Sequence, residues 1–307
     1  MNLRVPFATL DCASPIWTAS GTFGYGREFA PYFDLARLGA IATKGISPEA
    51  RAGNPVPRIC ETASGMINSI GLENVGAESF GRDKLPFLRQ SGTNVIVNFF
   101  GETFDEYVAC AASLDALDGV AALEMNVSCP NVKKGGVEFG VIPAVLTELT
   151  RACRSVTKRP LLVKLTPNTG DIVALARAAV AGGADGLSVI NTVSAMAIDA
   201  RRRRPRIATT YGGLSGPAIK PIALRMVHQV HTALPEVPIS GIGGIASGED
   251  VVEFLLAGAT TVQIGTLSFS EPSAAARILD ELSAFMEQER ISDVRELIGA
   301  LVVPAGC

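Results

Sequence analysis

Cys129 is the residue whose type and setting most invite chemistry. It lies in Glu124-Met-Asn126-Val-Ser-Cys129-Pro130-Asn131, where an apolar run gives way to a polar stretch containing Gly135, Gly136 and Gly140. A free thiol titrates near pH ~8.5, so a nearby cation or dipole can tune it for proton transfer. A lone cysteine can also be a small buried hydrophobe, but these polar, glycine-containing surroundings favour exposure. The two histidines, His228 and His231, sit three apart in a helical pattern far from any strand end, and they read as a solvated helix face or an incidental i,i+3 pair. That leaves Cys129 as the acid–base candidate.

Two lysines, Lys44 and Lys164, each follow a short apolar run. A lysine at such a position is costly to bury without an anion, so an anionic ligand is its natural partner, although snorkelling to the rim is open to it. Asn68, Asn98, Asn126 and Asn191 add side chains that donate and accept at once, as a flat heterocycle with N–H and C=O edges requires. Gly241-Ile-Gly243-Gly244-Ile-Ala246 fits a dinucleotide fingerprint, but no acidic residue follows at the spacing a ribose contact needs. Together with Gly265-Thr266, it reads better as a phosphate site built from two glycine turns and a helix N-terminus. Ligand-free turns are the alternative. Arg201–Arg204 reads as a solvated loop, with a docking surface as the alternative.

Repeated short apolar runs must position these groups. Candidate strands cover residues 16–19, 40–43, 95–97, 122–125, 161–163, 186–190, 238–241 and 261–264, and helical patterns cover 171–181, 249–256 and 273–288. Ser20, Lys44, Asn98, Asn126, Lys164, Asn191, Gly243 and Gly265 each fall just past a predicted strand. One polar group per strand end points to a single (β/α)8 TIM barrel of the α/β class, with its site at the C-terminal mouth, rather than to an open sheet that works from one switch point. No composition break divides residues 1–307, so one domain is expected. Gly53–Gly81 reads as an elaborate, strand-poor loop over the mouth.

Composition narrows the function classes. With 27 basic and 30 acidic residues the net charge is −3, which argues against a dedicated nucleic-acid or membrane-surface protein. No apolar run approaches the ~18 residues of a membrane span, and the N-terminus lacks a signal-peptide core. The six cysteines form no C-x-x-C pair, as expected of reduced cytoplasmic thiols and not of a metal or iron–sulfur site.

Several motifs, taken in order, resemble one family along nearly the whole chain. They are Ala19-Ser-Gly-Thr-Phe-Gly24, Thr43-Lys-Gly45, Gly53-Asn-Pro-Val-Pro-Arg58, Asn68-Ser-Ile-Gly-Leu72, Asn126-Val-Ser-Cys-Pro-Asn131, Val163-Lys-Leu-Thr-Pro167, Ile190-Asn-Thr192, Gly212-Gly-Leu-Ser-Gly-Pro217 and the two glycine turns. The set resembles the class 1 dihydroorotate dehydrogenases. Lys133-Lys-Gly-Gly136 and the segment from Gly212 to Lys220 resemble the class 1B catalytic subunit. The resemblance implies FMN-dependent oxidation of dihydroorotate to orotate in pyrimidine synthesis. It implies FMN binding by Ser20, Lys44, Gly45, Asn98, Asn126, Lys164, Ile190, Gly216, Gly243, Gly244, Gly265 and Thr266. Substrate would be held by Lys44, Asn68, Ser69, Ile70, Gly71, Leu72, Asn126, Asn191 and Thr192. Cys129 would be the base that removes the C5 proton, a place taken by serine in the membrane-associated class 2. The resemblance further implies a homodimer core and a partner subunit with FAD and a [2Fe–2S] cluster that passes electrons to NAD, together a heterotetramer. Readings held open beside it are a fumarate-linked class 1A-like enzyme, a flavoprotein reducing uracil or thymine, a phosphate-sugar isomerase or lyase on the same barrel, and a non-catalytic binding subunit.

Overall fold

The computed structural model describes residues 1–127 and 140–304. Eight strands close a parallel barrel: β1 (Ile16–Thr18), β2 (Ala40–Ala42), β3 (Asn94–Phe99), β4 (Ala122–Asn126), β5 (Leu161–Leu165), β6 (Gly186–Val189), β7 (Ile239–Ile242) and β8 (Thr261–Ile264). They pair in sequence order, and β8 returns to β1. Apart from Asn94 at the entry to β3, every one of these residues is buried. That explains their continuous apolar runs: a parallel strand covered on both faces has no solvent side to alternate with.

Helices α1 (Phe104–Asp115), α2 (Pro143–Arg154), α3 (Ile172–Ala181), α4 (Lys220–Ala233), α5 (Gly248–Leu256) and α6 (Ala274–Gln288) follow β3 to β8 in turn. The three predicted helices are all present. Asp171, the first residue of the predicted 171–181 helix, is the N-cap of α3, accepting from the Ala174 N–H at 2.9 Å. The alternation is irregular at the start. A single 3-10 turn, Leu35–Arg37, links β1 to β2, and a broken helical segment, 77–88, precedes β3.

An N-terminal hairpin, Val5–Phe7 with Leu10–Cys12, covers the N-terminal end of the barrel. The Phe7 ring lies 4.8 Å from that of Trp17, and a Cβ at Gly186, the first residue of β6, would stand 2.6 Å from Phe7. Among the described residues no helix is long and apolar enough to cross a membrane.

The opposite end departs from expectation. Gly53–Gly81 is not strand-poor: Ile59–Thr62 and Gly65–Asn68 form an antiparallel pair. Gly212–Ser215 adds to Gly65–Asn68, and Val193–Ala195 adds to Gly212–Ser215, which completes a four-stranded sheet. Its strands lie in the β2–β3 and β6–α4 connections, so the sheet stands over the C-terminal mouth. These strands are short and largely unburied, the two central ones carry glycines, and the central pairing joins residues 145 apart, as the Asn68–Gly213 bond shows. No local periodicity marks such pairing.

Candidate active site

Inside the barrel, polar side chains from alternate strands stack in layers. Glu124 of β4, Ser188 of β6 and Gln263 of β8 form one group. Ser188 Oγ donates to Glu124 Oε1 at 2.6 Å, and Gln263 Nε2 donates to the same oxygen at 2.9 Å. The neighbouring odd strands supply Asn98 and Lys164. Asn98 Nδ2 donates to Glu124 Oε2 at 2.6 Å, and Lys164 Nζ lies 4.0 Å from that oxygen. Glu124 is 0 % exposed and Lys164 4 %. Taking two charges out of water costs several kcal/mol each, and here it is offset by the mutual attraction and three further donors. Lys164 also donates to Ser20 Oγ at 3.2 Å, tying the pair to the loop after β1.

Asn98 and Lys164 lie within their strands, not past the ends as predicted, and Asn126 is the last residue of β4. The apolar run ends at each polar residue, yet the backbone pairing continues, because an inward-facing polar side chain does not interrupt a ladder. Asn191 Nδ2 donates to Asn126 Oδ1 at 3.2 Å, and Tyr107 of α1 donates to the Asn126 carbonyl at 2.8 Å. Ile190 is buried, its N–H bonded to the Ile242 carbonyl at 3.2 Å. Lys44 is half-buried at the rim and makes no ion pair among the described residues. Beside it the backbone of Gly45 passes so close to Asn98 that a Cβ there would stand 2.8 Å from Oδ1.

The glycine turns meet at one side of the mouth. Gly216, Gly243 and Gly244 have φ of +95°, +139° and +72°, and a Cβ at Gly244 would lie 2.8 Å from the Gly216 carbonyl oxygen. Gly265 and Thr266 follow β8 at the same end, half-buried. The helix N-terminus expected to favour a phosphate is not free to do so. The N-terminus of α5 is already occupied: Ser247 and Asp250 form a capping box, and Asp250 Oδ2 accepts from the Ala246 and Ser247 N–H groups at 2.7 and 2.9 Å. Asp250 is in turn held by Lys220 at 2.6 Å. Burial pushes its carboxyl up, but the Lys220 ammonium and these N–H donors outweigh that and leave it low. An anion at this side would meet the glycine backbone rather than a free helix end.

The Asn68–Leu72 stretch leaves the mouth sheet as a pinned loop. Asn68 Nδ2 donates to the Gly213 carbonyl at 3.3 Å, and Asn54 bonds the Ser69 and Ile70 carbonyls, each at 2.9 Å. Gly71 takes φ +75° against Asn54, and Leu72 takes φ +60° with its carbonyl held by Asn74 at 2.9 Å. Ser69 Oγ is buried without a hydrogen-bond partner among the described residues. Thr192 receives the Asn191 side chain on its N–H at 2.8 Å and packs against Gly213. Cys129, with Gly135 and Gly136, lies outside the described residues. Arg201–Arg204 is exposed beside the small Ile198–Asp199/Arg204–Pro205 hairpin. His228 and His231 share α4, but both are half-buried rather than solvated, with His231 packed on Gly258 and Gly299.

The profile of the family described as "Dihydroorotate dehydrogenase" matches residues 2–286 of this chain. The chain belongs to that family. Similar curated proteins bear the name "Dihydroorotate dehydrogenase B (NAD(+)), catalytic subunit". The one from Trichlorobacter lovleyi is 54 % identical over 299 residues, covering 97 % of this chain and 98 % of its own. That from Geotalea uraniireducens is 54 % identical over 301 residues, covering 98 % of each, and that from Geobacter sulfurreducens 53 % over 302 residues, covering 98 % and 99 %. The chain is therefore a flavin-dependent oxidoreductase on a TIM barrel.

Ser20, Asn98, Asn126, Lys164 and Asn191 were all expected at the mouth from the sequence, but Glu124, which holds Asn98 and Lys164, was not. Glu124 stands in the quoted cysteine motif without a role, and Ser188 and Gln263 do not figure at all. The available signal was a carboxylate inside an otherwise apolar strand, which must find a buried partner.

Proposed function

We propose that the chain binds FMN at the mouth of its barrel and oxidises dihydroorotate to orotate, as the catalytic subunit of an NAD-linked dihydroorotate dehydrogenase. The observation that carries this reading is the buried Lys164–Glu124 pair, with Lys164 reaching Ser20 at the open end of the strands. The residues also fit the cofactor. Gly216, Gly243 and Gly244 leave a cradle that Cβ atoms would fill, where backbone can approach a phosphate, and Gly265 and Thr266 close it. Ser20, Lys44, Gly45, Asn98, Asn126, Lys164 and Ile190 would hold the ring. A bound FMN supplies the acceptor for the hydride that leaves C6.

The chain's own groups do the rest. Cys129 takes the C5 proton. Lys44, lacking an ion-pair partner among the described residues, would meet the substrate's carboxylate. Asn126 and Asn191, already oriented toward each other, would read the ring's N–H and C=O edges together with Thr192 and the 68–72 loop, where the Ser69 hydroxyl has no hydrogen-bond partner among the described residues. Lys164 would stabilise negative charge developing on the ring system, a preorganised electrostatic contribution. Electrons would leave through a partner subunit with FAD and a [2Fe–2S] cluster around a homodimer of this chain, in the cytoplasm.

The anaerobic visible spectrum before and after adding dihydroorotate tests this. Flavin absorbance that bleaches with the substrate is expected. Flavin that stays oxidised with dihydroorotate but bleaches with dihydrouracil would move the substrate assignment. Protein that takes up no FMN would overturn the reading.

A further inference from the structure

Glu124 has no part in the reaction as written, yet it is the most completely enclosed charged group of the site. It is 0 % exposed, and three strands aim donors at it: Asn98 at 2.6 Å, Ser188 at 2.6 Å and Gln263 at 2.9 Å. Asn98 and Lys164, both placed in the flavin site above, share a single oxygen of it, Oε2, at 2.6 and 4.0 Å. An apolar core would hold a barrel together without this carboxylate, and replacing buried ion pairs by apolar groups is often neutral or stabilising. The donors and Lys164 offset its burial, but an apolar group would meet no such cost, so the carboxylate points to a role beyond stability.

We propose that Glu124 is a positioning residue that orients Asn98 and Lys164 toward the flavin and offsets the charge of Lys164, so that the barrel core sets the reduction potential of the bound FMN. The proposal rests on the flavin reading given above. Lys164 stabilises added negative charge on a reduced ring. Glu124 weakens that effect, because its own charge opposes it across a low-dielectric interior. Ser188 and Gln263 fix the carboxylate from the far side, so its distance to Lys164 is set by the fold.

The test is the two-electron midpoint potential of FMN in the reconstituted protein, read by anaerobic titration against a reference dye. Glu124→Gln keeps the shape and removes the charge. It is expected to shift the reduction equilibrium toward reduced flavin about tenfold, a rise of about 30 mV for a two-electron couple. Ser188→Ala takes one hydrogen bond from the same carboxylate but leaves its charge and the Gln263 bond, and it is expected to move the potential far less than Glu124→Gln. An unchanged potential in Glu124→Gln overturns the proposal, and so does an equal shift in both variants, which would assign the effect to packing. If Glu124→Gln does not fold or retains no FMN, Glu124→Asp is read in its place. It withdraws the carboxylate from Lys164, so a smaller rise is expected, and no rise overturns the proposal. Wild-type protein that takes up no FMN fails one step earlier, at the flavin reading itself.

Discussion

The barrel wall and the sheet over its mouth are built on opposite terms. The eight barrel strands are buried almost throughout, pair with their neighbours in sequence order and confine polarity to a few inward-facing positions. The mouth sheet is half-buried along its length, borrows strands from two distant connections and depends on glycines. A Cβ at Gly65 would lie 2.0 Å from the Ser215 carbonyl oxygen, and one at Gly213 would lie 2.1 Å from Thr192. The wall carries the buried core, and under the proposed reading the sheet and the loop leaving it would carry part of the substrate contacts. Lys164 and Glu124 belong to both, because their charges are enclosed by the wall and serve the mouth.

The contrast can be broken by separating activity from stability. Cys129→Ala, in the β4–α2 connection, should slow flavin reduction by dihydroorotate about 10²–10⁴-fold in stopped flow, with flavin content and melting temperature unchanged. A matching loss of stability would assign Cys129 to the wall. Lys164→Met should do the reverse in the flavin-free protein. Removing one partner of a buried pair leaves Glu124 uncompensated and costs about 3–5 kcal/mol, measurable by urea unfolding without cofactor. A loss below about 1 kcal/mol would mean that the three hydrogen bonds to Glu124 suffice by themselves.

Asn68→Ala should act at the mouth alone. One ligand hydrogen bond is worth about 1 kcal/mol, so KM for dihydroorotate should rise roughly fivefold, while stability falls by no more than about 1 kcal/mol for the lost bond to Gly213. The smallest effect lies at the far end of the molecule. Burial first, and the neighbouring His228 second, hold His231 below its ordinary 6.5. The unfolded chain therefore binds this proton before the folded one does. Stability fully present above pH 6.5 should fall as the pH drops below it. His231→Gln should flatten that part of the pH–stability curve and leave the pH dependence of turnover unmoved.

The thiols show the same division in one residue type. Burial pushes Cys12, Cys110 and Cys153 up to about 12, which leaves them inert to alkylation at neutral pH, as wall residues. Composition alone could not separate these three from Cys129. What separated it was local sequence, a proline, asparagines and glycines around a strand end.

The barrel was legible because each wall strand is an apolar run bounded by a polar residue, and that pattern survives in one dimension. The mouth sheet was not legible. Gly212–Ser215 is half-buried throughout and Ile59–Thr62 is only four residues long with no buried position, so neither shows a usable hydrophobic period, and the sheet is completed only by closure over the barrel. The α5 N-terminus misled for another reason: its glycines announce a turn that can bind an anion, while Asp250, four residues beyond Ala246, had already taken the N–H groups.

The sequence by itself determined where the eight strands lie, which polar groups stand in or just past their C-terminal halves, and that a thiol follows the fourth. Only the tertiary structure decided which of those groups meet. Ser188 and Gln263 are 64 and 139 residues from Glu124 along the chain, yet each donates to the same oxygen. Closure of a staggered barrel turns alternate strands inward at one level, and a buried carboxylate takes its partners from whatever that geometry brings to it.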